Sequence, residues 1–219
     1  MTISSFNTTL CINGCKIFND NSRYLYWEDR KVTNDEIDII KFLNSNLIKE
    51  DLDILHIGIG NSLFASEIKH FNEIIGISIS QNEIDKSSLM HIPNYHSIFL
   101  NKYQKNAFDI FDQKKFDLII DINIKSFACC DNAFDNLFNQ YLNLLNKNGK
   151  IITHINGLNW TKAIKPKISF SFKKFFHKKL KEIDGPIKNI LSIKDCEKIA
   201  KNNNLQLSLN NKNLIIFQK

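Results

Sequence analysis

The segment Asp53-Ile-Leu-His-Ile-Gly-Ile-Gly-Asn-Ser62 constrains the fold more than any other part of this sequence. A short apolar run, Leu52 to Ile57, stops at two glycines, and the helical spacing of Leu63, Phe64, Ile68 and Phe71 begins directly after it. A buried strand that turns through glycine into a helix can bring its backbone close to a ligand, which then meets the amides at the helix start. A Gly-x-Gly pair alone is weak, since many strand-to-helix turns carry one. Here it ends the first core strand of a chain that alternates strand and helix, and that place gives it weight.

The alternation can be followed along the chain. Thr33-Asn-Asp-Glu36 reads as a capping box, and Ile37, Ile40, Phe42 and Leu43 predict a helix over 34–46. Further buried strands are expected over 73–78, 97–100, 116–122 and 150–154. Ser80-Gln-Asn-Glu83 reads as a second capping box, opening a helix that runs to Met90. An amphipathic helix is expected over 131–145, closed by Gly149 as its C′ residue. After the Gly185-Pro186 break, Ser192 to Asp195 starts a last helix, to Asn203. Leu205–Leu209 and Leu214–Phe217 then form a hairpin around Asn210 to Asn213. This order predicts an α/β fold, a doubly wound, mainly parallel seven-stranded sheet with a C-terminal antiparallel hairpin. Ligands of such sheets bind beyond the carboxyl ends of the strands, at the switch point. Residues 1–33 read as an N-terminal arm and residues 34–219 as one α/β domain.

Composition narrows the setting. The chain of 219 residues is 43% hydrophobic and 24% charged, ordinary values for a globular domain with a sizeable core. No apolar run approaches the roughly 20 residues of a membrane-spanning helix, and the first residues lack a secretory signal, so a cytoplasmic protein without a membrane partner is expected. Cysteines at 11, 15, 129, 130 and 196 are odd in number and make a poor disulfide framework. Cys11 and Cys15 have no second pair at zinc-site spacing, so they read as packing residues and no metal is expected. Cys129-Cys130 has no neighbouring histidine in sequence that would make a thiol nucleophile. The net charge of +6 is concentrated between Lys162 and Lys181, where eight lysines interleave with Phe170, Phe172, Phe175 and Phe176. Such a stretch suits a solvated helix face over a Phe stripe, or contact with nucleic acid, acidic lipid or a phosphorylated substrate.

On these residues the chain resembles the class I S-adenosylmethionine-dependent methyltransferases over 34–218. The first strand and loop, His56-Ile-Gly-Ile-Gly-Asn-Ser62, are similar to the family's acid-x-Gly-x-Gly-x-Gly. Gly76-Ile-Ser-Ile-Ser80 is similar to its Gly-x-acid-x-Ser, and Phe116-Asp-Leu-Ile-Ile-Asp121 to its Phe-Asp-Leu strand. Leu144-Leu-Asn-Lys-Asn-Gly149 resembles the Leu-Leu-Lys-Pro-Gly segment before its fifth strand. The resemblance implies S-adenosylmethionine as cofactor, bound by His56, Gly58, Gly60, Ser62, Ser78, Ile79, Asn101 and Lys102. Three of these depart from the pattern: His56 replaces the first acid, Ser62 the third glycine, and Ser78 the ribose-binding acid, whose charge-assisted hydrogen bonds a serine cannot match.

Methyl transfer leans on orientation more than on acid–base chemistry, but a hydroxyl acceptor gains from a base. Asp121, at the end of the fourth strand, and His154, at the end of the fifth, are the expected catalytic pair. Tyr26, Trp27, Asn123 and Trp160 are expected around the acceptor. Arg30 and Lys125 read mainly as solvated charges. The function expected is methyl transfer to an oxygen or nitrogen of a small molecule. Nucleic-acid methylation is the alternative, weakened by Asp121-Ile-Asn-Ile124 in place of an Asn/Asp-Pro-Pro-aromatic segment. A non-catalytic binding protein of the same fold is the third reading. A nicotinamide-dependent dehydrogenase is disfavoured by the missing third glycine and the terminal hairpin. Nothing in the sequence sets an oligomeric state.

Overall fold

A computed structural model describes residues 10–17, 30–46, 52–159 and 190–219. The order of elements is α1 (Asn34–Asn46), β1 (Asp53–Ile57), α2 (Leu63–Glu67), β2 (Glu73–Ser78), α3 (Gln81–Leu89), β3 (Tyr95–Phe99), β4 (Phe116–Ile120), α4 (Asp131–Leu144), β5 (Leu145–His154), α5 (Ile193–Asn202), β6 (Gln206–Asn210) and β7 (Leu214–Gln218). Short 3-10 turns cover Ala107–Phe111 and Ile155–Asn159. The seven strands form one sheet in the order β3-β2-β1-β4-β5-β7-β6. The first five pair in parallel, and β7 runs antiparallel between β5 and β6. The α/β architecture expected from the sequence is the one observed.

The central strands bury both faces, which is why they read as continuous apolar runs rather than alternating ones. Successive side chains go to opposite layers. Ile54, Ile74, Leu118, Ile120 and Ile152 meet α1 and α2 through Ile39, Phe42, Leu43, Phe64 and Ile68. Leu55, Ile75, Ile119 and Ile151 meet α4 and α5 through Phe134, Leu137, Phe138, Tyr141 and Cys196. The strand order reverses between β1 and β4, so the crevice at their carboxyl ends is the switch point.

Local signals fared unevenly. Thr33 and Glu36 form the expected capping box, with the Thr33 amide donating to Glu36 (2.8 Å) and the Glu36 amide to Thr33 Oγ1 (3.3 Å). Ser192 and Asp195 form another. The box expected at Ser80 is not made: its side chain gives no cap hydrogen bond, and the Glu83 carboxylate instead takes the Ser78 hydroxyl. Nor is Gly149 a C′ residue. Leu145 leaves α4 in extended conformation and starts β5, with a register shift between Phe116 and Leu118 of β4. Gly149 lies inside that strand, where a Cβ would stand 2.9 Å from Leu145 Cδ2. The helix expected from Leu63 through Phe71 ends at Glu67.

Gly157 marks the tightest approach. A Cβ there would fall 1.7 Å from the Ile122 carbonyl oxygen, so the turn after β5 lies directly on the chain leaving β4. Gly157→Ala is expected to force these two segments apart and cost about 3 kcal/mol of stability in urea unfolding, at the upper end of overpacking penalties. A loss under about 0.5 kcal/mol, the range of a neutral surface change, would show that the approach is not required.

Candidate functional site

The loop after β1 carries three residues in left-handed conformation: Gly58 (φ 80°), Gly60 (φ 54°) and Ser62 (φ 62°). Ser62 thus adopts, without being glycine, a backbone shape that glycine adopts freely. A Cβ on Gly58 would meet nothing within 4 Å, so its flank is open, while its amide donates to the Ile77 carbonyl of β2 (2.9 Å). The flank of Gly60 is filled. A Cβ there would meet the Arg30 guanidinium at 2.6 Å.

Arg30 is held in place by Glu36 through two hydrogen bonds, Nη1 to Oε2 (2.6 Å) and Nη2 to Oε1 (2.7 Å). Its carbonyl accepts from Asn61 Nδ2 (2.8 Å). Burial works to raise the Glu36 carboxyl, but hydrogen bonds from Arg30 and Thr33 outweigh it and hold the group below its usual range. Arg30 is therefore a brace for the glycine loop and not a solvated charge.

His56, on β1, lies in the α1–α2 layer with its ring 4.5 Å from that of Phe64. It is fully buried, and neither ring nitrogen has a hydrogen-bond partner among the described residues. Burial pushes its pKa down to about 4, with Glu36 opposing and Arg30 assisting. The ring is neutral at pH 7 and does not reproduce the charge of the acid that it replaces.

At the end of β2, Ser78 Oγ accepts from the Ser80 amide (3.0 Å) and donates to Glu83 Oε2 (2.5 Å). A carboxylate therefore reaches the position of the missing acid from one turn into α3. The neighbouring Ile79 is half-buried. Tyr95 completes this corner, its hydroxyl 3.0 Å from Ser62 Oγ and beneath the Cα of Gly76. Its pKa is raised to about 12, by burial first. The sequence reading missed Glu83, because its spacing from Ser80 is also that of a capping box.

Asn101 and Lys102 follow β3. Asn101 Oδ1 accepts from the Tyr103 amide (2.9 Å). Lys102 reaches under the loop after β4, donating to Asp121 Oδ2 (2.7 Å) and to the carbonyls of Asn123 and Ile124 (3.1 Å each). Tyr141 of α4 donates to the same carboxylate oxygen (2.9 Å). Burial lowers the Lys102 pKa against the pull of Asp121, and burial with the Asp121 charge raises Tyr141 well above the usual tyrosine range. Asn123 stays half-buried at the strand end.

His154 ends β5 in the other layer. It accepts the Asn156 amide at Nδ1 (3.2 Å), which makes Nε2 the protonated nitrogen and the donor to Asp38 Oδ2 (3.3 Å). Asp35 Oδ1 lies 3.4 Å from Nδ1. Asp121 thus meets α4 and His154 meets α1. The structure does not bring the expected pair together, because their strand positions have opposite parity. Lys125 pairs with Asp131 (2.9 Å) over the Phe134 ring and is not simply solvated. Tyr26, Trp27, Trp160 and the Lys162–Lys181 stretch lie outside the described residues. The sulfurs of Cys11, Cys15, Cys129 and Cys130 gather in one cluster.

No protein-family model matches the sequence, and no curated protein matches it. Solved structures do. NodS, an N-methyltransferase of Bradyrhizobium japonicum WM9 in complex with S-adenosyl-L-homocysteine, is similar with a TM-score of 0.57 at 10% identity, over 88% of this chain and 89% of that one. A TehB-like SAM-dependent methyltransferase from Corynebacterium glutamicum gives 0.53 at 13% identity, over 82% and 86%. With the strand order, these define the class: the chain has the class I S-adenosylmethionine-dependent methyltransferase fold.

Two stability effects are expected. Lys102→Met strands the buried Asp121 carboxylate and should cost about 3–5 kcal/mol, with much of it regained in the double variant carrying Asp121→Asn. Urea unfolding of both checks this, and a double variant no more stable than the single one would refute the pairing. For His56, the unfolded chain protonates near pH 6.5 and the folded chain only near 4. The unfolded state binds more protons between these values, so stability is lost as pH falls through that window, by roughly 3 kcal/mol. His56→Leu should flatten the profile between pH 6.5 and 4.

Proposed function

We propose that this chain binds S-adenosylmethionine and transfers its methyl group to an oxygen or nitrogen of a small molecule. The observation that carries the reading is the open flank of Gly58, a cradle that any Cβ would fill, beside a carboxylate set at the end of β2. The residues present fit the cofactor. The left-handed loop from Gly58 to Ser62 presents backbone at the crevice, and α2 starts directly behind it. Glu83, oriented by Ser78, supplies the charged acceptor for ribose hydroxyls that the β2 sequence lacks. Ile79, Asn101 and Lys102 follow the ends of β2 and β3. The cofactor, when bound, supplies an activated sulfonium methyl, so the chain's own task is to bind, orient and exclude water.

Asp121 and His154 act in this reading as positioning residues. Asp121 is committed to Lys102 and Tyr141, and His154 to Asp38. An acceptor atom that already offers a lone pair, such as an amine nitrogen, suits this arrangement best. Asn123, half-buried at the β4 end, is placed to orient it. NodS, similar in fold, is itself an N-methyltransferase. Tyr26, Trp27 and Trp160 remain part of the proposed acceptor surroundings.

Calorimetric titration with S-adenosylhomocysteine tests the reading. The wild-type chain should bind. Gly58→Val should abolish binding with the circular dichroism spectrum retained. Glu83→Gln should weaken binding by roughly tenfold to a hundredfold, the worth of hydrogen bonds to a charged group. No heat and no thermal stabilisation of the wild type at millimolar ligand would refute cofactor binding.

A further inference from the structure

Cys11 and Cys15 face Cys129 and Cys130 across the sequence, and all four sulfurs lie within 4.8 Å of one another. Cys11 Sγ and Cys130 Sγ are 3.9 Å apart, though separated by 119 residues. We propose that these four cysteines form a structural tetrathiolate site for one zinc-class divalent ion.

The distances carry the assignment. A zinc–sulfur bond of about 2.3 Å places neighbouring sulfurs of a tetrahedron about 3.8 Å apart. The Cys11–Cys130 pair already has that separation, and no two of the four sulfurs are more than 4.8 Å apart. Clusters of several irons interpose inorganic sulfide and hold their cysteine sulfurs farther apart, so a single ion fits better. Four thiolates also fill a tetrahedron completely. With no open coordination position, such a site is structural and not catalytic.

A tight turn and a helix start hold the two cysteine pairs face to face. Residues 11–15 form a tight turn, closed by the Cys11 amide on the Cys15 carbonyl (3.0 Å) and the Gly14 amide on the Cys11 carbonyl (2.9 Å), with Gly14 at φ 74°. This turn directs the Asn13 amide at Cys11 Sγ (3.3 Å), and the Asn13 side-chain amide lies 3.8 Å from Cys130 Sγ. N–H groups aimed at sulfur favour its anionic form. The second pair stands at the start of α4, a helix of 14 residues whose N-cap is Cys130. Cys11 is buried in the α4–α5 layer, and the other three are half-buried, so protein covers one side of the cluster. The spacing in sequence hides the site, because the second pair is an adjacent dipeptide far from the first.

Its physical effect would be a staple. Residues 10–17 also join the domain through the Lys105 amide on the Leu10 carbonyl (3.1 Å) and the burial of Cys11 and Ile17 in the core. The ion would fix this segment to the loop between β4 and α4, independently of cofactor binding and methyl transfer.

The test uses the full chain, purified in reducing buffer and reconstituted with zinc, or with cobalt(II) as a spectroscopic probe. The expected result is about one zinc per chain by plasma mass spectrometry, and thiolate-to-cobalt charge-transfer bands with a tetrahedral d–d pattern. Cys15→Ser and Cys130→Ser should each lose the metal, while Cys196→Ala, outside the cluster, retains it. The wild-type cobalt spectrum does not depend on the folding of any variant. A metal-free wild type after reconstitution would overturn the proposal, whether its thiols are freely reactive or oxidised to two disulfides. Metal retained in both serine variants would overturn it equally.

Discussion

Each central strand of the sheet is enclosed on both faces, so every side chain along it is assigned to one of two apolar layers. Only where the strands end can polar groups gather without a desolvation penalty. This places Ser78, Asn101, Asp121 and His154 along one edge, and the same alternation divides them. Asp121 faces α4 and His154 faces α1. Two polar residues one strand apart at the same edge are therefore not partners, and the chemistry of the crevice has to be shared between layers.

Polar groups that do enter the layers are tied down individually. Lys102 crosses from β3 to the end of β4 and satisfies one carboxylate and two carbonyls there. Arg30 and Glu36 brace the glycine loop from the side of α1. Such pairs are costly to break because either partner alone is a buried charge. They fix geometry more than they add stability. His56 is the exception, a neutral ring on Phe64 without a hydrogen bond among the described residues. It occupies the position where the family resemblance places an acid.

Much of the fold was legible because its signals are local. Apolar runs, the Gly58–Gly60 turn, the box at Thr33, the helix start at Ser192 and the hairpin at 210–213 each depend on a few neighbouring residues. Signals that admit two outcomes were misread. Ser80 and Glu83 have capping-box spacing, yet Glu83 prefers Ser78; Gly149 follows a helix, yet belongs to a strand. In the site, the loop and the strand ends were legible as positions. The contacts that determine what each residue does were not, because they join distant segments: Lys102 to Asp121, His154 to Asp38, Cys11 to Cys130. No window of sequence holds both members of such a pair.

The placement of β7 has a consequence for synthesis. Its residues Leu214 to Phe217 are fully enclosed, and they separate β5 from the exposed β6. Until these residues leave the ribosome, β5 ends the nascent sheet with unpaired backbone groups and an uncovered apolar face. Such an edge is a template for pairing with another chain. The growing polypeptide therefore carries this open edge from the completion of β5 until β7 emerges, when a strand made late slips between two made before it.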